Sequence, residues 1–434
     1  MNFPKSLIME KAEKALNCFP PLLDKNLLIS YVMAFIKRAP EFLDICSINE
    51  LPLYIIEKKI LEERAKTFIS AFKNQVDDIH VFYALKSNNC PDIAKILIKS
   101  GLGLDVSGGP ELLSALRLGS KNIIFSGPGK TDKEIEMVIE NHDKVTLLID
   151  SFGELERAAK AAEKYKIQIR AGVRLTTQEN GLWRKFGILV SDLKDFFQKS
   201  FEYDYINLRG IQFHTSWNLN PKAQTDFIVR LGEHIKTLNP EYRKKIEFID
   251  IGGGYWPAAG EWLQWNGIPA GQISKILVPE FQPENQYFHF ASEPVENFAY
   301  KIGQALKKHI FPYVKCKIYT EPGRWLCNDA MHIFLTVIDK KAQDMVITDG
   351  GTNIMGWERY ESDYCPVINL TCPSETEKKC HIFGSLCTPH DIWGFGYFGT
   401  SIEPGDILMI PNQGAYTYSL QQNFIKQAAQ VVVI

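Results

Sequence analysis

A lysine closing an apolar run, a triple glycine, and a glutamate three residues ahead of an arginine are the features of this 434-residue chain whose types and spacing point most directly to chemistry. Lys86 ends the run VFYALK. A partly desolvated amine in such a place can have its pKa lowered and form a Schiff base, although a lysine snorkelling at a rim reads the same way. Gly252, Gly253 and Gly254 lack Cβ atoms, so their backbone N–H groups can approach an anion closely; the plainer reading is a tight turn. Arg324 can add a charged fork to the same anion. Glu321 beside a pyridine nitrogen would favour its protonated form and so create an electron sink; otherwise it simply pairs with Arg324. The ring of His214 can stack on a flat ligand. Near the C-terminus, GSLCTPHD holds Cys387, Thr388 and Asp391, and GAYTYS holds Tyr416 in a loop, where its hydroxyl can donate to phosphate. A lone cysteine in a sheet is usually core.

These residues need elements to carry them, and a rhythm from about residue 80 supplies those. Short β-rich runs alternate with helical patterns: VFYALK (81–86), LGLDVS (102–107), NIIFSG (122–127), VTLLID (145–150), IQIRAGVRL (167–175), LRGIQFHT (208–215), IEFIDIGG (246–253) and KIYTEPG (317–323). Eight such units predict an α/β fold, a closed TIM-like (β/α)8 barrel whose function sits at the C-terminal strand ends. Those ends are Lys86, Asp105, Ser126, Asp150, Arg174, His214, the glycine run and Glu321. An open doubly wound sheet would need a phosphate fingerprint after the first strand, and KSNNCPD is not one. Beyond Arg324, strands follow without helices, predicting a C-terminal antiparallel β domain. The expected division is a helical extension over 1–50, broken at Pro20, Pro21 and Pro40, a strand over 51–58 joining the β domain, the barrel over 59–326, and the β domain over 327–434. Residues 255–285 read as an irregular insertion containing Trp256, Trp262 and Trp265, which either shapes a pocket or packs on the barrel.

Composition excludes several classes. A formal charge of −2 gives no reason to expect nucleic acid or an anionic membrane. No apolar run approaches the roughly 18 residues of a membrane span, and the charged N-terminal stretch does not read as a signal peptide. Nine scattered cysteines without a CxxC pair fit a reduced, cytoplasmic setting and predict no metal site.

Taken together, FYALKSN, GLDVSGGPEL, KFGI, FHTSW, DIGGG, EPGR, DGG, GSLCTPHD and GAYTYS resemble the fold-type III (alanine-racemase-like) decarboxylases that use pyridoxal 5'-phosphate, the ornithine, diaminopimelate and arginine decarboxylase group, in order from about residue 51 to 425. The resemblance implies that Lys86 holds the cofactor covalently and Asp105 supports its surroundings. It implies that His214 stacks on the pyridine ring and Glu321 pairs with the ring nitrogen. Gly252, Gly253, Gly254, Arg324 and Tyr416 would hold the phosphate. Cys387, from the partner subunit, would protonate the carbanion left by carbon dioxide, and Asp391 would lie near the far end of the substrate. An obligate homodimer with shared sites follows from the same resemblance.

The chain departs from that pattern twice. Where the family has His-x-Gly-Ser, with the serine on phosphate, this sequence has His214–Thr215–Ser216–Trp217. Thr215, Ser216 or Asn218 would have to compensate, and Trp217 would narrow the substrate channel. Where ornithine- and diaminopimelate-type members have an acidic residue after the cysteine, Thr388 stands. LCTP is closer to members acting on elaborated substrates, citryl-diaminopropionate in siderophore assembly or glutamyl groups on a carrier protein. A free basic amino acid is the alternative substrate. Racemization is the alternative of another class, and Glu321 argues against it because racemases of the alanine type place arginine at the ring nitrogen. A binding protein that has lost its cofactor conflicts with the presence of Lys86, Glu321, Arg324 and Cys387.

Overall fold

The alternation of apolar runs with helices closes into a barrel. In the computed structural model, which describes residues 4–278, 286–356 and 359–434, the chain divides into two units. One comprises residues 58–258 and 293–328, the other 1–57, 259–292 and 329–434. The first strand of the chain, β1 (Leu53–Ile56), belongs to the second unit.

The barrel unit holds β2 (Ile79–Ala84), β3 (Gly103–Val106), β4 (Ile123–Phe125), β5 (Val145–Ile149), β6 (Ile169–Leu175), β7 (Ile206–Phe213), β8 (Phe248–Asp250) and, after a two-strand interruption, β11 (Lys317–Thr320). They pair in parallel in the closed order β11-β2-β3-β4-β5-β6-β7-β8, so all eight expected strands are present. Helices separate them; the one over Asp132–Glu140 begins with a reciprocal capping box between Thr131 and Glu134.

The barrel axis is plugged. Phe82, Ile124, Leu148, Phe248 and Tyr319 form one buried cluster, with Phe248 and Tyr319 stacked at 4.5 Å. Gly103, Gly172 and Gly210 complete the layer because a Cβ there would strike Phe82, Leu148 or Phe248. Successive strand residues face opposite sides, so residues two further on share the inner face, one layer nearer the C-terminal mouth. Those residues are Ala84, Asp105, Ser126, Asp150, Arg174, Gln212, Asp250 and Glu321. An apolar plug therefore carries an almost wholly polar layer above it.

The other unit is built on a sheet. The interruption forms a hairpin, β9 (Glu261–Leu263) with β10 (Phe288–Phe290). The sheet strands are β12 (Met331–Ala342), β13 (Met345–Thr348), β14 (Ile368–Asn369), β15 (Glu377–Phe383), β16 (Ile392–Phe398), β17 (Ile407–Ile410) and β18 (Gln430–Val433), with β1 among them. Their order is β13-β15-β16-β14-β17-β12-β1-β18. The expected antiparallel domain is in fact mixed: β1–β18, β13–β15 and β14–β16 run parallel. Parallel neighbours need long connections, and β1 and β18 come from opposite ends of the chain.

Helices α1 (Lys5–Leu16), α2 (Lys25–Ile36) and α3 (Ala39–Ser47) precede β1. Pro40 lies in the first turn of α3, where a missing N–H costs nothing, so it starts a helix rather than breaking one. Leu28, Val32, Phe42 and Cys46 bury against Leu53, Ile55, Phe334, Ile368 and Met409 of the sheet. Trp262 meets Tyr31 edge-on at 4.9 Å, and Trp265 stacks on Phe19 at 5.9 Å, so these two tryptophans pack within the sheet unit. Residues 279–285 of the expected insertion lie outside the described residues.

Candidate active site

Lys86 follows β2 on a short 3-10 turn that brings its amine to Asp105 of the inner layer. Its Nζ donates to Asp105 Oδ2 at 2.6 Å; the lysine side chain is 33% exposed and the aspartate wholly buried. Ser126 donates to the other oxygen of Asp105, and Arg174 donates to the Ser126 carbonyl at 2.9 Å. The polar layer is thus wired around the mouth rather than being a set of separate groups.

Glu321 is buried and accepts from Gln212 Nε2 at 3.2 Å. Burial alone would push its pKa up; contact with His214 and Asp250 and the charge of Lys86 outweigh that and hold it at about 2. The neighbouring Asp250 is displaced the opposite way, upward, by burial and by the Glu321 charge. Asp105 is also raised, by burial and Glu321 against the pull of Lys86. His214 Nδ1 lies 3.1 Å from the Gly253 nitrogen and 3.4 Å from Glu321 Oε2, an acceptor site for the one and a donor site for the other according to where the ring proton sits. Burial lowers the imidazole pKa against the opposing pull of Glu321.

The glycine run must be glycine. Gly252 and Gly254 have φ of +65° and +83°, and Cβ atoms at the three positions would strike the carbonyls of Phe213, Glu321 and Thr215. Two of the three N–H groups are already engaged: Gly252 donates to Asp250 Oδ1 at 2.9 Å and Gly253 to His214. The guanidinium of Arg324 lies 4.3 Å from the Trp256 ring centre, so the third tryptophan of the expected insertion sits against a predicted phosphate ligand.

Trp217 is 64% exposed at φ +52°, a left-handed conformation that costs a tryptophan energy and that the fold enforces. Asn218 supplies the clamp: its N–H donates to the Gly254 carbonyl at 2.9 Å and its Nδ2 to Thr215 Oγ1 at 2.8 Å. Asn218 is therefore committed to the loop, leaving Thr215 and Ser216 as hydroxyls beside the glycine run. Trp217 and Trp183 meet edge-on at 6.2 Å over a cavity of about 520 Å³ that Thr177, Gln178, His214, Phe227 and Arg230 also line.

The remaining candidates lie in the sheet unit. Cys387 is exposed between β15 and β16, with Thr388 half-buried beside it. Tyr416 stands at φ +58° in the loop after β17. Asp391 is 1% exposed, and its two oxygens accept the N–H groups of Thr352 and Leu386, each at 2.6 Å. Burial and two backbone donors make Asp391 a brace for the loop carrying Cys387. Gln212 and Asp250 carried no expectation from sequence. Their signal was the strand period, two positions beyond Gly210 and Phe248.

An amine beside a buried aspartate, an ionised carboxylate, a buried imidazole and a glycine cradle together fit a phosphorylated pyridine aldehyde. Residues 61–328 match the family model described as pyridoxal-dependent decarboxylase, pyridoxal binding domain. The chain is 25% identical over 399 residues to a diaminopimelate decarboxylase of Methanothermobacter thermautotrophicus, covering 88% of this chain and 86% of that protein. It is 26% identical over 385 residues to the L-glutamyl-(BtrI acyl-carrier protein) decarboxylase of Niallia circulans, covering 85% of each. Its fold matches the crystal structure of a Helicobacter pylori diaminopimelate decarboxylase complexed with L-lysine, with a TM-score of 0.74 at 22% identity over 91% of this chain and 94% of that one.

Proposed function

Because the chain belongs to the pyridoxal-dependent decarboxylases, and is thus a pyridoxal-phosphate carboxy-lyase of amino acids, we propose that its substrate is an elaborated amino-acid derivative, a citryl-type siderophore precursor or a carrier-linked amino acid. The observation carrying this is Thr388 after Cys387, where an acidic residue would attract a distal ammonium. A neutral hydroxyl loses most of that attraction. The cavity under Trp183 and Trp217 supports a bulky substrate, since two indoles offer it apolar surface, while Arg230 and Asp226 line it with one charge of each sign. A free basic amino acid is the second reading, favoured by the diaminopimelate decarboxylases among the relatives.

In this reading Lys86 bonds the cofactor, and Asp105 holds the amine in place. Arg324, Tyr416 and the Gly254 N–H hold the phosphate. When bound, the cofactor supplies an electron sink for the bond between Cα and the carboxylate. Glu321 would meet the ring nitrogen and His214 would lie against the ring. Cys387 would supply the proton that replaces the lost carboxylate at Cα, and Lys86 would be the amine through which cofactor is held and product released. The active form is a cytoplasmic homodimer in which Cys387 serves the partner's site.

Carbon dioxide release measured over free diamino acids, citryl conjugates and carrier-linked amino acids tests the substrate class. Turnover of a conjugate at least about tenfold above ornithine, lysine and diaminopimelate is expected; the reverse order sinks this reading in favour of the second.

A further inference from the structure

We propose that Asp250 is carried as a carboxylic acid whose Oδ2–H is donated to Glu321, making it the positioning residue that holds that carboxylate in place. Asp250 ends β8 and is wholly buried. Its Oδ1 accepts the Gly252 N–H at 2.9 Å, while Oδ2, also buried, has no donor among the described residues. Asp250 and Glu321 are both buried and close enough for each carboxyl group to act on the other, so ionising both would bury two like charges side by side, and a donorless buried Oδ2 is where the proton that prevents this can sit.

The charges around the pair place that proton. Facing Asp250 are Glu321 just beyond β11, Tyr319 of β11, Asp105 of β3 and Tyr255 beyond β8, with Lys86 and His214 on the Glu321 side. Lys86 donates to Asp105 and its charge favours ionised Glu321, and Gln212 donates to Glu321 as well. Asp250 has only the single backbone donor. The proton therefore stays on Asp250, in agreement with the upward displacement of its pKa and the downward one of Glu321. The same side chain thus fixes the Gly252 turn through Oδ1 and Glu321 through Oδ2, joining the phosphate cradle to the carboxylate that meets the ring nitrogen.

The inference rests on the cofactor reading above only for what Glu321 is held ready to do; the proton itself is read from the protein alone. Infrared difference spectroscopy on the protein without added cofactor tests it. At neutral pH the parent should show the carbonyl stretch of a protonated carboxyl group, shifted by deuterium and absent from Asp250→Asn. Asparagine keeps both an acceptor for Gly252 and a donor for Glu321, so affinity for pyridoxal phosphate should stay within about threefold of the parent, while Asp250→Ala should weaken it about tenfold or more. A parent without the band, a band that persists in Asp250→Asn, or an asparagine variant as weak as the alanine variant overturns the proposal. Carboxyl carbon resonances of the parent labelled with carbon-13 aspartate decide the same point if a variant does not fold. One aspartate should remain at its protonated shift through neutral pH, and its absence is equally fatal. A parent that shows the band yet takes up no pyridoxal phosphate would instead defeat the cofactor reading.

Discussion

Lys86 and Asp105 show how closely stability and chemistry are coupled at one contact. Asp105 is wholly buried, and Lys86 Nζ is its close cation at 2.6 Å. Lys86→Ala removes the amine proposed to bond the cofactor, so the visible absorbance of the bound cofactor should be lost after gel filtration. It also strands a buried carboxylate, and should cost about 1–3 kcal/mol in urea unfolding of the cofactor-free protein. Adding Asp105→Asn should restore much of that stability without restoring the absorbance. A single variant as stable as the parent would mean that Asp105 does not depend on this amine. Trp217 separates the two effects differently. Its left-handed backbone at φ +52° costs about 1 kcal/mol, which glycine would recover, and its edge-on contact with Trp183 is worth about as much, which glycine would lose. Trp217→Gly should therefore leave the melting temperature nearly unchanged. A shift in substrate preference measured on that variant then reports the cavity and not the fold.

At the scale of strands and helices, the period of two explains both what could be read in advance and what could not. Lys86, His214 and Glu321 were legible because each closes an apolar run, and a polar group there is conspicuous. Gln212 and Asp250 lie inside their runs, flanked by Ile211, Phe213, Ile249 and Ile251, and pass for interruptions unless the barrel's inner face is already known. The strand β16, IWGFGYF, was not legible, because Gly394 and Gly396 read locally as loop while the sheet pairs them with β15. Parallel pairing in the sheet is likewise a long-range choice that no local pattern encodes. Nor does sequence disclose how α2 and α3 are tied to the strands beside them. Arg38, between those helices, grips Glu57 at 2.7 and 2.9 Å, and His332 of β12 meets the same carboxylate at 2.8 Å. The other ring nitrogen of His332 accepts the N–H of Asn412, at the root of the loop bearing Tyr416. Burial pushes Glu57 up, but His332 and Arg38 outweigh it and hold the pKa at about 2, against an ordinary value of 4.5. A lowered carboxylate pKa stabilises the fold above the ordinary value, and that stabilisation disappears as pH falls from there toward the folded value. Glu57→Gln should lower the urea midpoint at pH 7 and show a shallower further loss between about pH 5 and 2 than the parent. Parallel curves for the two proteins would remove Glu57 from the acid response.

At the scale of the whole molecule, the residues proposed for one reaction are distributed between two units. Lys86, His214, Glu321 and Arg324 belong to the barrel unit, and Cys387, Thr388 and Tyr416 to the sheet unit. In a twofold-symmetric dimer with shared sites, each site draws its lysine from one subunit and its thiol from the other. Cys387 is exposed on a loop braced from within by Asp391, as a thiol offered to a partner must be. Cys387→Ala alone should still release carbon dioxide but return the proton to the wrong atom, so aldehyde accumulates in place of amine. Lys86→Ala alone should form neither. When equal amounts of the two variants are unfolded, mixed and refolded, half of the dimers are hybrids. One site of each hybrid combines the intact Lys86 of one subunit with the intact Cys387 of the other, and its second site carries both defects. Amine formation should then recover to about one quarter of the parent rate, because half of the dimers each hold one good site of two. If each chain instead supplied its own thiol, every site in every hybrid would carry one defect. Amine formation would then stay at the level of the separate variants, and the shared-site dimer would be excluded even though both residues still served the reaction.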